Sequence, residues 1–249
     1  MTYCCAIKLD HGLAFMSDTR TNAGMDSISV FSKMTTWHLP GERTITVLTA
    51  GNLASTQAAI GLLDERAKAP AEREPSLLAA PSMFQVARIV GETLREAIGS
   101  ARPIGETAES SFNASIILGG QIGDSPPRLF LIYPEGNFIE ASDDTPFFQI
   151  GETKYGKPIL VRAYEPNMSF EDAVKLLLVS FDSTIKSNLS VGLPLDLFYY
   201  KSDSLEAGYR QRIDIDDPYY QLISSTWSDE LKEAFNALPN YQIKQPASD

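Results

Sequence analysis

The stretch MTYCCAIKLDHGLAFMSDTR, residues 1–20, decides how the rest of the chain is read. Residues 3–9 are an apolar, β-prone run, Asp10-His11-Gly12 supplies a turn, and a second apolar run covers 13–17. That pattern predicts a β-hairpin at the very start of the chain. Its first strand carries Thr2 at its head. Cys4 and Cys5 are adjacent, so in a strand they face opposite sides, and two such residues exclude a disulfide framework.

Downstream of a polar loop, Ile28, Val30 and Met34 frame an alternating segment, Leu39-Pro40-Gly41-Glu42 reads as a turn, and 44–50 is a β-branched run. A second hairpin is expected. The periodicity changes at Gly51: Leu53, Gln57, Ile60 and 64–68 carry helical spacing, and after a Pro/Ala/Glu-rich loop over 69–81 so do Met83, Ala87, Val90, Leu94 and Ala97. Strands return over 114–118, 129–133 and 138–141, between Gly- and Pro-rich turns. Ser169 and Asp172 have capping-box spacing and open a third helix that runs to about Lys186. A strand over 195–200 and a helix over 219–236 close the chain. Antiparallel hairpins with helices gathered in blocks predict an α+β fold, two sheets back to back between helical layers, over a parallel doubly wound sheet. A single domain, 1–249, is expected, with 200–249 as an extension suited to subunit contacts.

The chain has 249 residues, 43% of them hydrophobic and 21% charged, enough apolar material for a sizeable core. With 21 Lys+Arg against 32 Asp+Glu the net charge is −11, and no basic run occurs, which argues against binding nucleic acid or an anionic membrane. His11 and His38 are the only histidines, and neither has metal-ligand spacing with the cysteines. Neither a metal nor a cofactor is expected. No basic segment followed by an apolar stretch opens the chain and no apolar run approaches a membrane span, so a cytoplasmic location is expected.

Thr2 follows Met1 directly, and a small second residue permits removal of that methionine. The mature chain would then begin with a threonine. Such a residue holds a hydroxyl and a free α-amine together, and the amine, with a reference pKa of roughly 7.7–8.0, serves as general base at neutral pH without a histidine. Asp18 closes the second strand of the hairpin, and Lys33 stands in the alternating segment after it. A lysine near the amine disfavours its protonation, and an aspartate keeps the lysine charged and fixed. Gly51, at the junction Thr49-Ala50-Gly51-Asn52, offers a backbone N–H to a developing oxyanion. By period two, Phe31 and Thr49 border the pocket beside the nucleophile, and Thr21 is assigned to the same pocket.

These features together resemble the proteasome-type subunits of the N-terminal nucleophile hydrolases. Phe112-Asn113-Ala114-Ser115, Leu118-Gly119-Gly120-Gln121-Ile122-Gly123, Ile132-Tyr133-Pro134, Gly151-Glu152-Thr153-Lys154-Tyr155-Gly156-Lys157-Pro158 and Ser187-Asn188-Leu189-Ser190-Val191-Gly192-Leu193-Pro194 are similar to the bacterial proteasome-related Anbu family, over nearly the whole chain. The resemblance implies a four-layer αββα sandwich and self-assembly into a ring or an open spiral. It also implies Thr2 as nucleophile, Asp18 and Lys33 as its charge partners, Gly51 as oxyanion donor, and hydrolysis of a peptide or protein substrate.

Two positions depart from the family pattern. Glu152 in Gly151-Glu152-Thr153 replaces the serine of the usual Gly-Ser-Gly, and the segment 187–191 keeps Ser190 but lacks the usual aspartate. Asp182 is the nearby carboxylate that takes its place only if the helix geometry allows. The same residues would serve a small-molecule or isopeptide amidase or acyltransferase, and a non-catalytic peptide-binding ring is the alternative from another class.

Overall fold

The computed structural model describes residues 2–22, 28–101 and 112–242. Residue 1 and residues 23–27, 102–111 and 243–249 lie outside the described residues. The expected first hairpin is present as β1 (Tyr3–Leu9) and β2 (Gly12–Asp18), in register from Cys4 opposite Ser17 to Leu9 opposite Gly12. The second is divided. β3 (Arg20–Asn22) pairs with β4 (Ile28–Val30) as a two-stranded ribbon, while β5 (Met34–Leu39) pairs with β6 (Arg43–Gly51). The alternation expected through 28–34 breaks at 31–33 because that segment bonds elsewhere. Phe31 N–H donates to the Thr19 carbonyl (2.8 Å), Ser32 Oγ donates to buried Asp196 (2.7 Å), and Lys33 turns inward.

Two helices follow, α1 (Leu53–Lys68) and α2 (Met83–Ala101), then β7 (Ala114–Ile122), β8 (Arg128–Ile132), β9 (Phe138–Glu140) and β10 (Phe147–Gly151). The rest of the chain forms α3 (Lys157–Ala163), α4 (Phe170–Ser187), β11 (Leu195–Lys201), β12 (Tyr209–Ile213) and α5 (Pro218–Ala237). The predicted capping residue does start α4: Ser169 Oγ accepts from the Asp172 N–H at 3.1 Å. The strands assemble as two antiparallel five-stranded sheets, ordered β10-β1-β2-β11-β12 and β5-β6-β7-β8-β9. β10, α3 and β12 are additions to the sequence reading. β12 is an edge strand with two arginines, Arg210 and Arg212, so it lacks the apolar alternation that marks a covered strand.

Three apolar layers show the stacking. Cys4, Phe15, Leu48, Ile117 and Phe198 pack between the sheets. Ile45, Leu63, Val90, Leu94 and Phe130 join the second sheet to α1 and α2. Tyr3, Cys5, Met16, Leu177 and Phe181 join the first sheet to α4. The result is the α+β sandwich, helices outside and sheets within, and the two cysteines do face opposite layers. Both thiols are buried, and burial pushes both above the ordinary thiol range. No described helix is long and apolar enough to cross a membrane.

The sheets approach closely where Gly119 meets Phe15. A Cβ at Gly119 would stand 2.6 Å from Phe15 Cζ and 3.1 Å from Leu129 Cδ1. Gly119→Val is therefore expected to destabilise the protein by about 1–3 kcal/mol through overpacking. The urea midpoint checks this, and Phe15→Leu in the same chain should restore part of the loss.

Candidate active site

The start of the chain is fixed from three directions. The Thr2 carbonyl accepts from Glu152 N–H (2.7 Å), Tyr3 N–H donates to Asp18 Oδ1 (3.0 Å), and the buried Tyr3 hydroxyl bonds Ser180 Oγ (2.7 Å) and Gln149 Nε2 (2.5 Å). The Tyr3 ring lies on Phe181 of α4, with centroids 4.3 Å apart. Gly151 has to be a glycine here. Its φ is +83°, and a Cβ would come within 1.9 Å of the Thr2 carbonyl oxygen.

Lys33 Nζ donates to Asp18 Oδ1 at 2.6 Å and to the Arg20 carbonyl at 2.7 Å, with both side chains almost fully buried. Burial pushes the Asp18 carboxyl above the ordinary range, while the Lys33 ammonium and the backbone N–H groups of Tyr3 and Gly192 pull it down. One carboxylate oxygen thus binds the ammonium and the backbone of the residue after Thr2. The segment 189–194 closes this corner. Arg20 Nη1 donates to the Leu189 carbonyl (2.9 Å), Gly192 lies against the Arg20 guanidinium, and Thr19 N–H donates to the Pro194 carbonyl (3.1 Å).

Gly51 ends β6 with φ +114°, and a Cβ there would meet the Asn113 carbonyl oxygen at 2.4 Å. The next residue, Asn52, caps α1 by accepting from the Ser55 N–H at 3.1 Å. A sharp strand-to-helix turn results, as expected from the sequence. Thr2, Thr21, Lys33, Thr49 and Gly51 all line one pocket of about 270 Å³. Phe31 does not: it follows β4 outside any strand, is 41% exposed, and is absent from the pocket wall.

The spacing Leu53, Gln57, Ile60 and Asp64 that predicts α1 marks its pocket face, whereas its buried face is Ser55, Thr56, Ala59 and Leu63. Helical periodicity identified the element but not which side was covered. Ser190 is half-buried, and its backbone N–H donates to Asn188 Oδ1 at 2.9 Å. Asn188 Nδ2 in turn donates to the buried Glu152 carboxylate at 2.9 Å. Asp182 does not replace the missing aspartate. It is buried toward α5, accepting from the Tyr220 hydroxyl (3.4 Å) and pairing with Lys186 (2.9 Å). Glu152 and the segment 187–191 therefore meet through Asn188, a partnership no local spacing signals across a separation of 36 positions. Among the described residues no three His, Cys, Asp or Glu side chains are placed to hold a metal ion.

The family model for proteasome subunits matches residues 2–192. Among solved structures, the chain is similar to Anbu (ancestral beta-subunit) from Yersinia bercovieri, at 46% identity over 98% of this chain and 100% of that one, with a TM-score of 0.91. It is similar also to Anbu from Hyphomicrobium sp. strain MC1, at 48% identity over 97% and 100%, with a TM-score of 0.89. A third match is a structure described as the helical assembly of the Anbu complex from Pseudomonas aeruginosa, at 46% identity over 97% and 98%, with a TM-score of 0.90. No curated protein matches the chain.

Removing one member of the buried ion pair strands the other. Lys33→Met is expected to cost about 3–5 kcal/mol at neutral pH, because Asp18 loses its cation inside the core. The carboxyl then rises further above its unfolded value of roughly 3.9, so the deficit against wild type is full above the folded-state pKa and shrinks as pH falls toward the unfolded one. Urea midpoints of both proteins between neutral and mildly acidic pH test the sign.

Proposed function

The chain belongs to the proteasome subunit family and, within it, to the Anbu group, and from that premise we propose that it is a threonine hydrolase of peptide or peptide-like amide bonds. One observation carries the reading: Thr2, Lys33 and Gly51 line the same pocket, and Lys33 is fixed there by Asp18.

In the proposed mechanism removal of Met1 exposes the Thr2 α-amine. Thr2 Oγ attacks the amide carbonyl while the amine accepts its proton. The nearby Lys33 ammonium favours the neutral, basic form of the amine and the developing alkoxide alike, and Asp18 holds the lysine in position. The tetrahedral oxyanion faces the Gly51 N–H. The intermediate collapses to an ester, the leaving amine takes the proton from the α-ammonium, and water activated by the same amine then releases the acid. The Glu152 backbone fixes the Thr2 carbonyl, while its side chain, held by Asn188, stands where the family has a serine. Ser190 is assigned to the support of this corner.

Self-association is part of the proposal. Of the twenty residues of α5 only Tyr220 is buried, and Leu222, Phe235 and Leu238 are 58%, 75% and 65% exposed. A monomer seldom leaves such a surface uncovered. We assign the extension, from residue 200 onward, to contacts with a second copy in a ring or open spiral. The helical assembly described for the Pseudomonas aeruginosa relative supports this.

Three results test these assignments. Turnover of unfolded proteins, peptides or small amides should be lost in Thr2→Ala, and a β-lactone probe should label the wild-type chain at Thr2 alone. Turnover of small amides only would remove the peptidase label, and labelling elsewhere would remove Thr2. Phe235→Asp should shift light-scattering mass toward smaller species with little change in the monomer's unfolding midpoint.

A further inference from the structure

A second buried carboxylate, Asp196 of β11, stands beside the first and takes no part in the chemistry assigned to Thr2. In the pairing of β11 with β2, Leu195 faces Asp18 and Asp196 faces Ser17, so the two carboxylates are one register step apart. Burial holds the Cys4 thiol up, and the charges of Lys33, Asp18 and Asp196 all act on it. The cation for Asp196 comes from the sheet edge. Arg212 lies opposite it in the β11–β12 register and grips it twice, Nε to Oδ1 at 2.9 Å and Nη2 to Oδ2 at 3.1 Å.

The other partner of Asp196 is Ser32. Residues 31–33 lie between β4 and β5 outside any strand, so Lys33 is held by individual bonds and not by a ladder. Ser32 Oγ is 2.7 Å from Asp196 Oδ2 and 3.1 Å from the Met34 carbonyl, and its single proton goes to the nearer, charged acceptor. The oxygen then accepts the Met34 N–H at 3.4 Å, so a hydroxyl tied to a buried anion reaches across Lys33 to the next residue. From β6, the Thr49 N–H donates to the Lys33 carbonyl at 2.9 Å. A backbone fixed in this way keeps the Lys33 ammonium at Asp18 Oδ1.

We propose that Arg212, Asp196 and Ser32 form a tether that positions Lys33, so that β12 of the extension is a working part of the site at Thr2. The inference rests on Thr2 as the residue whose amine Lys33 serves. All three are positioning residues and act through the lysine. A fixed ammonium holds the neighbouring α-amine below its ordinary pKa of roughly 7.7–8.0, whereas a lysine released from the tether moves toward water, where its charge is screened and the amine is protonated more readily.

The titration of the Thr2 amine reads this without turnover. Methionine aminopeptidase treatment makes Thr2 the first residue, and the pH dependence of reductive methylation at its amine is followed by mass spectrometry. Ser32→Ala and Asp196→Ala should each raise the titration midpoint by roughly half a pH unit, up to about threefold in free base. Ser32→Thr keeps the hydroxyl and should match wild type. Arg212→Met should raise the midpoint on its own and add nothing in the Asp196→Ala chain, as a single tether requires. The sign is diagnostic, because loss of the Asp196 charge acting through space would lower the midpoint. An unchanged midpoint in Ser32→Ala, or a lowered one in Asp196→Ala, overturns the proposal even if urea midpoints fall. Raised midpoints in a protein that no β-lactone labels uphold the tether and overturn the hydrolase reading, whereas labelling at Thr2 with unmoved midpoints does the reverse.

Discussion

One buried ion pair organises this molecule. Asp18 and Lys33 meet at 2.6 Å inside the protein, and each reaches beyond the other: Asp18 to the backbone of Tyr3, Lys33 to the carbonyl of Arg20. A carboxylate placed there without its cation would be expelled or protonated. The pair accordingly requires the end of β2, the start of β1 and the segment before β5 to converge, which places the chain start at the mouth of a pocket. The constraint that shapes this corner of the fold also supplies the fixed charge beside Thr2.

The surrounding residues make that convergence possible. Gly151 lets a backbone strand pass against the Thr2 carbonyl, and Gly51 turns β6 sharply into α1, both at positive φ. Tyr3 carries the anchoring down to α4 through Ser180 and Phe181. The end of the chain that carries Thr2 is therefore set by packing and hydrogen bonds from both flanking layers. A group held this firmly is preorganised for reaction.

The α+β layering was legible because its signals are local. Alternation, turn residues and the Ser169 cap placed the hairpins, α1, α2 and α4 without any long-range information. Elements written in short or polar segments were not legible: β12 takes its place by pairing with β11, and β10 by pairing with β1. The site divides in the same way. Thr2, Asp18, Lys33 and Gly51 stand out by residue type and order. Phe31 was misplaced because a period-two argument assumed a strand that the bonds of Ser32 and Lys33 interrupt, and the role of Asp182 stayed open because a helix position does not reveal that its side chain turns to α5. The Glu152 contact with Asn188 depends on a return of the chain after α4, which sequence spacing does not encode.

The central claim is that Thr2 works through its own free amine. Intact mass spectrometry of protein shown to hydrolyse an amide tests it most directly. The account predicts a chain lighter by one methionine, with threonine first. An active protein that retains Met1 would contradict it, since the base would then be locked in a peptide bond.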